Sequence, residues 1–194
     1  CELPHPARPD GLAEGGRLAP AAQLRRERGA FGHPDATSSV TTYRRRTRVD
    51  APLNAVWDFH SRIEGLEALT PGWTNLRVES VRGPDGDPDP AVLETGSVIE
   101  SSVRPLGVGP RQGWTSEITA RDRSAGSAYF RDVMTDGPFR EWRHTHMFYA
   151  DDGATVVRDR VEYRLPLGGL GDAVGPLATV GFEPMFRYRH WKTR

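Results

Sequence analysis

His144 and His146, two residues apart, are the residues of this chain whose types and spacing best suit chemistry. They lie in a run of β-branched and aromatic residues that is typical of a strand, where side chains two apart point to the same side. Two imidazoles on one side of a sheet can share a metal ion, transfer a proton, or form a hydrogen-bonded polar group within a core. The sequence leaves these three interpretations open.

Asp132 and Asp159 are the carboxylates that we expect to face the same space, because they lie in the runs before and after the histidines. A His-His-Asp metal site fits this arrangement. A buried imidazole beside a carboxylate also suits acid and base work, such as an aldol cyclisation followed by loss of water. The sequence contains no further ligand motif, glycine-rich phosphate loop or nucleophile elbow. We therefore assign no metal, no cofactor and no defined catalytic residue.

A predicted hairpin positions these groups, since Asp152-Gly153 separates two runs with strand composition. One face of the second run is apolar apart from a single carboxylate, and it consists of Val157, Asp159, Val161, Tyr163 and Leu165. The opposite face is charged, so we expect it to be solvated and the first face to be covered. A covered, mostly apolar surface with a few polar groups is typical of a small-molecule cavity.

Alternation and turn residues predict the remaining elements. Further strands are expected at residues 41–49, 75–81, 97–104, 113–123 and 128–134. Two short helices follow the first strand, the earlier one capped within Asp50-Ala51-Pro52. A long amphipathic helix, Leu170 to Trp191, closes the chain. This order predicts an α+β fold in which a curved antiparallel sheet of about six or seven strands wraps round the C-terminal helix.

Composition argues against several classes of partner. The formal net charge of the 194 residues is zero, which gives no electrostatic basis for binding nucleic acid. No run approaches the roughly 20 apolar residues of a membrane span, so we expect no stable membrane insertion and a cytoplasmic protein. Cys1 is the only cysteine, so no internal disulfide forms.

We predict that residues 1–39, rich in Pro, Gly, Ala and Arg, are a mostly disordered extension and that residues 40–194 form the domain. The oligomeric state is not predicted.

Several local motifs carry a family resemblance. They are RVDAPLNAVWDFH (Arg48 to His60), GLEALTP (Gly65 to Pro71), FRDVMTDGPFREWRHTHMF (Phe130 to Phe148), DRVEYRLPLGGLG (Asp159 to Gly171) and FRYRH (Phe186 to His190). Together they resemble the START-like, helix-grip superfamily that includes the birch-pollen allergens, and within it the polyketide cyclase/dehydrase (SRPBCC) group. The resemblance implies a deep pocket between the sheet and the long helix. Relatives bind sterols, lipids, polyketides or plant hormones there, and a minority catalyse ring closure and dehydration.

The resulting expectation is a protein that binds a hydrophobic or aromatic small molecule, of the lipid, polyketide or isoprenoid class. The predicted ligand-binding residues are Trp114, Phe130, Asp132, Trp142, His144, His146, Phe148, Asp159, Tyr163 and Met185. The polar members would orient the ligand, with the two imidazoles facing an open hollow beside the final helix. Two alternatives stay open: an aromatase/cyclase or dehydratase with His/Asp acid–base catalysis, and a partner-binding or regulatory domain whose pocket is too small for ligands.

Overall fold

The computed structural model describes residues 40–166 and 168–194, with backbone only for 168–180. Seven antiparallel strands form one sheet in this part of the chain. The strands are β1 (Thr41–Val49), β2 (Arg77–Arg82), β3 (Val98–Val103), β4 (Gln112–Arg123), β5 (Ser127–Asp136), β6 (Glu141–Asp151) and β7 (Ala154–Arg164). Their order across the sheet is β1-β7-β6-β5-β4-β3-β2. The predicted α+β helix-grip fold is confirmed, whereas the predicted disorder of residues 1–39 lies outside the described residues.

The helices are α1 (Leu53–His60), α2 (Ile63–Ala68) and α3 (Gly168–Thr193). The α1 side chains predicted at helical spacing, including Trp57 and His60, are all buried. The cap expected from Asp50 is wrong, because Pro52 is the residue that precedes the helix and Asp50 pairs with Arg48 at 2.5 Å. The fixed φ of proline orders this helix start without a side-chain cap. Among the described residues, no helix is long and apolar enough to cross a membrane.

Strands β6 and β7 form the predicted hairpin. Asp152 and Gly153 have φ values of 47° and 78°, in the left-handed region that a two-residue hairpin turn of this kind needs. The arginines of β1 at positions 44, 46 and 48 are exposed, which agrees with the interpretation of that strand face as solvated.

Two clusters of buried apolar side chains cover one face of the sheet. The first packs beneath α1 and includes Trp57, Phe130 and Phe148. The second packs beneath α3 and includes Tyr163 and Phe186. The polar side chains singled out above lie between these two cores.

Candidate functional site

Four polar side chains predicted to be neighbours meet in the middle of the sheet. Asp132 on β5 lies opposite His144 on β6, and His146 lies opposite Asp159 on β7. Directly opposite residues of antiparallel strands have side chains in contact range on the same face. Strand alternation and register therefore bring both imidazoles and both carboxylates to the face that α1 and α3 cover.

Asp159 is the centre of this group, and its side chain is 1% exposed. Its Oδ1 accepts a hydrogen bond from Nε2 of His144 at 2.9 Å, and its Oδ2 accepts one from Nε2 of His190 at 2.5 Å. Nδ1 of His146 lies 2.8 Å from Oδ1, but in a direction that makes no hydrogen bond. One carboxylate thus touches three imidazoles. We call Asp132, His144, His146, Asp159 and His190 the His–Asp cluster.

His190 was not among the predicted site residues, although it lies within the closing FRYRH motif. It is four residues beyond Phe186 and seven beyond Glu183, so the three side chains share one face of α3. Phe186 is 1% exposed and His190 is 2% exposed. A histidine one helical turn beyond a core phenylalanine was the available sequence signal, since that spacing directs it to the sheet.

Asp132 forms the looser end of the cluster. Its Oδ2 lies 3.7 Å from Nδ1 of His144 and 3.7 Å from Nε2 of His146, which is too long for a hydrogen bond. Its side chain is 16% exposed, against 1% for Asp159. Candidate metal-ligand atoms of Asp132, His144 and His146 all lie within 4.8 Å of one another. The cluster therefore has a closed end at Asp159 and a more open end at Asp132.

Burial and charge act in opposite directions on these groups. Burial disfavours the ionised form of Asp159, but the charge of His146 and the imidazole hydrogen bonds outweigh it and hold the pKa of Asp159 well below its usual range. Burial lowers the pKa of His144, and the charge of His146 lowers it further. For His146, burial is outweighed by the charge of Asp159 and by contacts with Asp132 and Asp159, so its pKa is raised. The arrangement favours a protonated His146 beside a neutral His144.

Two further ionisable groups lie near the cluster. Burial, followed by the charge of Arg189, lowers the pKa of His60 to about 3. Nδ1 of His60 donates a hydrogen bond to the carbonyl oxygen of Val56 at 2.8 Å. Burial also lowers the pKa of Arg189, against the charges of Asp159 and Asp132. His60 is therefore neutral at pH 7, and Arg189 brings a positive charge to the region.

Aromatic rings take up part of the space beside His144 and His146, where the sequence predicts an open hollow. The Phe130 ring stacks on His146 with centroids 4.2 Å apart, and Phe186 meets His144 edge-on at 5.4 Å. His144 is 7% exposed and His146 is 3% exposed. Phe186 of α3 and Phe130 of β5 thus each cover one side of an imidazole, and the predicted hollow itself stays a prediction.

The other predicted lining residues are spread over both apolar cores. Phe148 and Tyr163 are fully buried, and half-buried Trp142 and Met185 pack on the core beneath α3. Trp114 is half-buried and lies beside the backbone of Gly137. Among the described residues, no hydrogen bond or ring contact joins Trp114 to the His–Asp cluster. That these residues contact a ligand stays a prediction.

Two clefts are lined by described residues. One, of about 390 Å³, lies beside α1 and is lined by Trp57, Glu94, Arg121, Asp122 and Arg123. The other, of about 240 Å³, lies mostly on the opposite face of the sheet, beside Tyr149. Neither cleft includes a member of the His–Asp cluster. The predicted pocket between the sheet and α3 would be walled in part by residues 168–180, whose side chains are outside the description, so that pocket stays a prediction.

Comparison with known proteins places this chain in a family. The model of a family described as "Polyketide cyclase / dehydrase and lipid transport" matches residues 49–185, which is more than half of the chain. No curated protein sequence matches the chain.

Solved structures share the fold at low sequence identity. Norcoclaurine synthase from Thalictrum flavum, in complex with dopamine and hydroxybenzaldehyde, is 16% identical with a TM-score of 0.56, and the match covers 83% of this chain and 91% of that one. Protein Ms6760 from Mycobacterium smegmatis is 17% identical with a TM-score of 0.54, covering 79% and 92%. Protein CV1439 from Chromobacterium violaceum is 10% identical with a TM-score of 0.54, covering 77% and 94%. At these identities the similarity shows the fold alone.

Proposed function

Since the chain belongs to the polyketide cyclase/dehydrase and lipid transport family, we propose that it binds a hydrophobic or aromatic small molecule of the lipid, polyketide or isoprenoid class. The ligand would lie between the sheet and α3. The observation that carries this proposal is the His–Asp cluster, which is buried between two apolar cores and accessible at Asp132. Burying charged groups costs several kcal/mol per ion, and apolar residues of similar volume often serve stability as well or better. A ligand with a polar group gives these buried polar residues a role that stability does not supply.

The two ends of the cluster suit different parts of such a ligand. Asp132 offers an acceptor for a hydroxyl group, and a protonated His146 offers a donor for a carbonyl oxygen. Apolar and aromatic surface would supply affinity at roughly 25 cal/mol per Å² before entropic costs. We therefore favour an aromatic or polyketide-like molecule that carries hydroxyl or keto groups over a simple fatty acyl chain.

Native mass spectrometry of the purified full chain tests this proposal. We expect an added mass that corresponds to a small organic molecule and is lost on denaturation. We also expect the emptied protein to bind an environment-sensitive apolar dye, which the extracted molecule displaces. Repeated recovery of an empty protein that binds no such dye would contradict the proposal. The cytoplasmic location and the absence of a nucleic-acid partner remain predictions from composition.

A second candidate function is cyclisation or dehydration of a polyketide-like substrate. It is favoured by the position of His146 between two carboxylates, with Nδ1 beside the closed end and Nε2 toward the open end. An imidazole with the negative charge of a buried carboxylate on one side can take and return a proton on the other. The norcoclaurine synthase compared above, whose structure holds dopamine and hydroxybenzaldehyde, has the same fold.

His144→Ala and His146→Ala separate binding from catalysis. If the cluster is catalytic, each variant should lose at least about 100-fold in turnover of a poly-keto test substrate while retaining most ligand binding. Arg143→Ala is the matched control, because Arg143 is exposed and lies between the two histidines on the opposite face of β6. Normal turnover by both histidine variants would exclude the catalytic candidate and leave the binding proposal standing.

A further inference from the structure

We propose that Asp132, His144 and His146 form a binding site for one divalent transition-metal ion, with Zn²⁺ the ion that fits the donors best. The first observation is the convergence of their donor atoms. Oδ2 of Asp132 lies 3.7 Å from one ring nitrogen of each histidine. Two ligands around a tetrahedral Zn²⁺, each about 2.1 Å from it, are roughly 3.4 Å apart. These two separations are therefore close to a ligand spacing and too long for a direct hydrogen bond. All three ligand atoms lie within 4.8 Å of one another, so the side chains would move slightly closer together around a bound ion.

The second observation is the partner of each remaining ring nitrogen. Nε2 of His144 donates to Asp159, and Nδ1 of His146 lies 2.8 Å from the same oxygen. In metal sites, a ligating histidine almost always has its other ring nitrogen held by a carboxylate, carbonyl or water, which fixes the ring orientation and increases ligand basicity. Asp159 accepts the hydrogen bond of His144 and lies against the ring of His146 without a hydrogen bond, and Nε2 of His190 donates to its second oxygen at 2.5 Å. The supporting carboxylate is thereby itself fixed.

The third observation is the accessibility of the carboxylate ligand. The Asp132 side chain is 16% exposed, while those of His144 and His146 are 9% and 4% exposed. Three protein ligands with access from one side are typical of zinc sites that keep a position for water or substrate. Metal binding would release the proton of His146, since a ligating imidazole is neutral. Arg189 lies near both carboxylates, and its charge would favour an anionic fourth ligand such as hydroxide or a carboxylate. Two imidazoles and one carboxylate also suit Fe²⁺, which a competition experiment distinguishes.

The inference goes beyond ligand binding, because metal binding is measured with no organic molecule present. Co²⁺ is the probe, since it absorbs visible light in tetrahedral nitrogen and oxygen sites whereas Zn²⁺ is colourless. The full chain is alkylated at Cys1, its only thiol, and titrated with Co²⁺, and then with Zn²⁺ or, under anaerobic conditions, Fe²⁺. We expect saturation at one equivalent, a tetrahedral spectrum, and loss of the colour on addition of Zn²⁺.

Asp132→Asn is the decisive variant, and Asp136→Asn, an exposed residue of the same strand, is the matched control. Removing a supporting partner of a metal site costs about 10- to 100-fold in affinity, so removing a charged ligand should weaken Co²⁺ binding by at least about 100-fold. The control should bind as the unmodified chain does. His144→Gln repeats the test at a ring ligand should Asp132→Asn alter the circular dichroism spectrum.

Absence of saturable Co²⁺ binding, or equal binding by Asp132→Asn and Asp136→Asn, would overturn the metal site. Displacement by Fe²⁺ but not by Zn²⁺ would overturn the choice of Zn²⁺. Recovery of a bound organic molecule has no influence on these outcomes, so the two proposals fail independently.

Discussion

Helix α3 is joined to the sheet by two polar links of different kinds. His190 reaches Asp159 in the interior, whereas Glu183, about two turns earlier, accepts a hydrogen bond from the Tyr43 hydroxyl at 2.6 Å and pairs with Arg45. The Asp159 side chain is 1% exposed and that of Glu183 is 41% exposed. We call the second group the Glu183 link.

The two links differ in desolvation cost, and this difference indicates that the Glu183 link only attaches the helix whereas the His–Asp cluster has a further role. Arg45 lies directly opposite Asp159 on the neighbouring strand, yet its guanidinium pairs with Glu183 and leaves Asp159 to the imidazoles. The Glu183 link attaches the helix with little desolvation, because water still reaches the carboxylate. The His–Asp cluster carries the full desolvation cost of a buried carboxylate. Attachment alone does not explain it, which supports a role in ligand or metal binding.

The largest expected effect comes from Asp159→Asn, which removes the charge shared by three imidazoles. Breaking a buried charge arrangement by removing one partner costs about 3–5 kcal/mol, and urea unfolding would measure this loss in the free energy of unfolding. Asp151→Asn is the control, because Asp151 is 47% exposed in its pair with Arg48 and such surface pairs contribute at most about 1 kcal/mol. Equal losses in the free energy of unfolding of the two variants would contradict the expected difference between a buried and an exposed carboxylate.

Acid should lower the free energy of unfolding through His60, a buried residue of the interior, more than through the exposed Glu183 link. Burial, and then the charge of Arg189, lower the pKa of His60 to about 3 in the folded chain, from an ordinary value of 6.5. Between these values the unfolded chain binds the proton and the folded chain does not, so stability falls as the pH drops below 6.5. One pKa unit corresponds to about 1.4 kcal/mol, which gives a loss of about 2 kcal/mol between pH 6.5 and 5.

His60→Leu tests this expectation, since leucine fills similar space without titrating. Unfolding by urea at pH 6.5 and pH 5 should show a smaller pH-dependent loss in the variant, by about 2 kcal/mol. The same pH dependence in both proteins would show that His60 is not the group responsible. Asp132 and Asp159, whose pKa values are lowered, should lose their contribution only at still lower pH, as each is protonated.

The smallest effect is expected at the Glu183 link. Tyr43→Phe removes one hydrogen bond to a partly exposed carboxylate and should cost about 1 kcal/mol in the free energy of unfolding. A double-mutant cycle with Glu183→Gln measures the coupling between the two side chains. If Tyr43→Phe lowered the free energy of unfolding as much as Asp159→Asn does, the exposed link would stabilise the chain as much as the interior one.

Much of this fold follows from period-two alternation. The hairpin turn at Asp152-Gly153, the apolar and charged faces of β7, and the shared face of His144 and His146 were all predicted from local pattern. The cap at Asp50 was wrong because proline with its fixed φ started the helix instead. Local pattern does not show how much of the hollow beside the imidazoles remains open, because that depends on the sizes of side chains that come from other elements, such as Phe130 and Phe186.

The sequence by itself determined which side chains share a face, because alternation along a strand and 3.6-residue spacing along a helix are local properties of the backbone. Only the tertiary structure decided that His190 meets Asp159, 31 residues away, and that Arg45 turns to Glu183 instead. Those pairings depend on how α3 lies across a twisted sheet, which is set by packing of the whole interior rather than by any single segment.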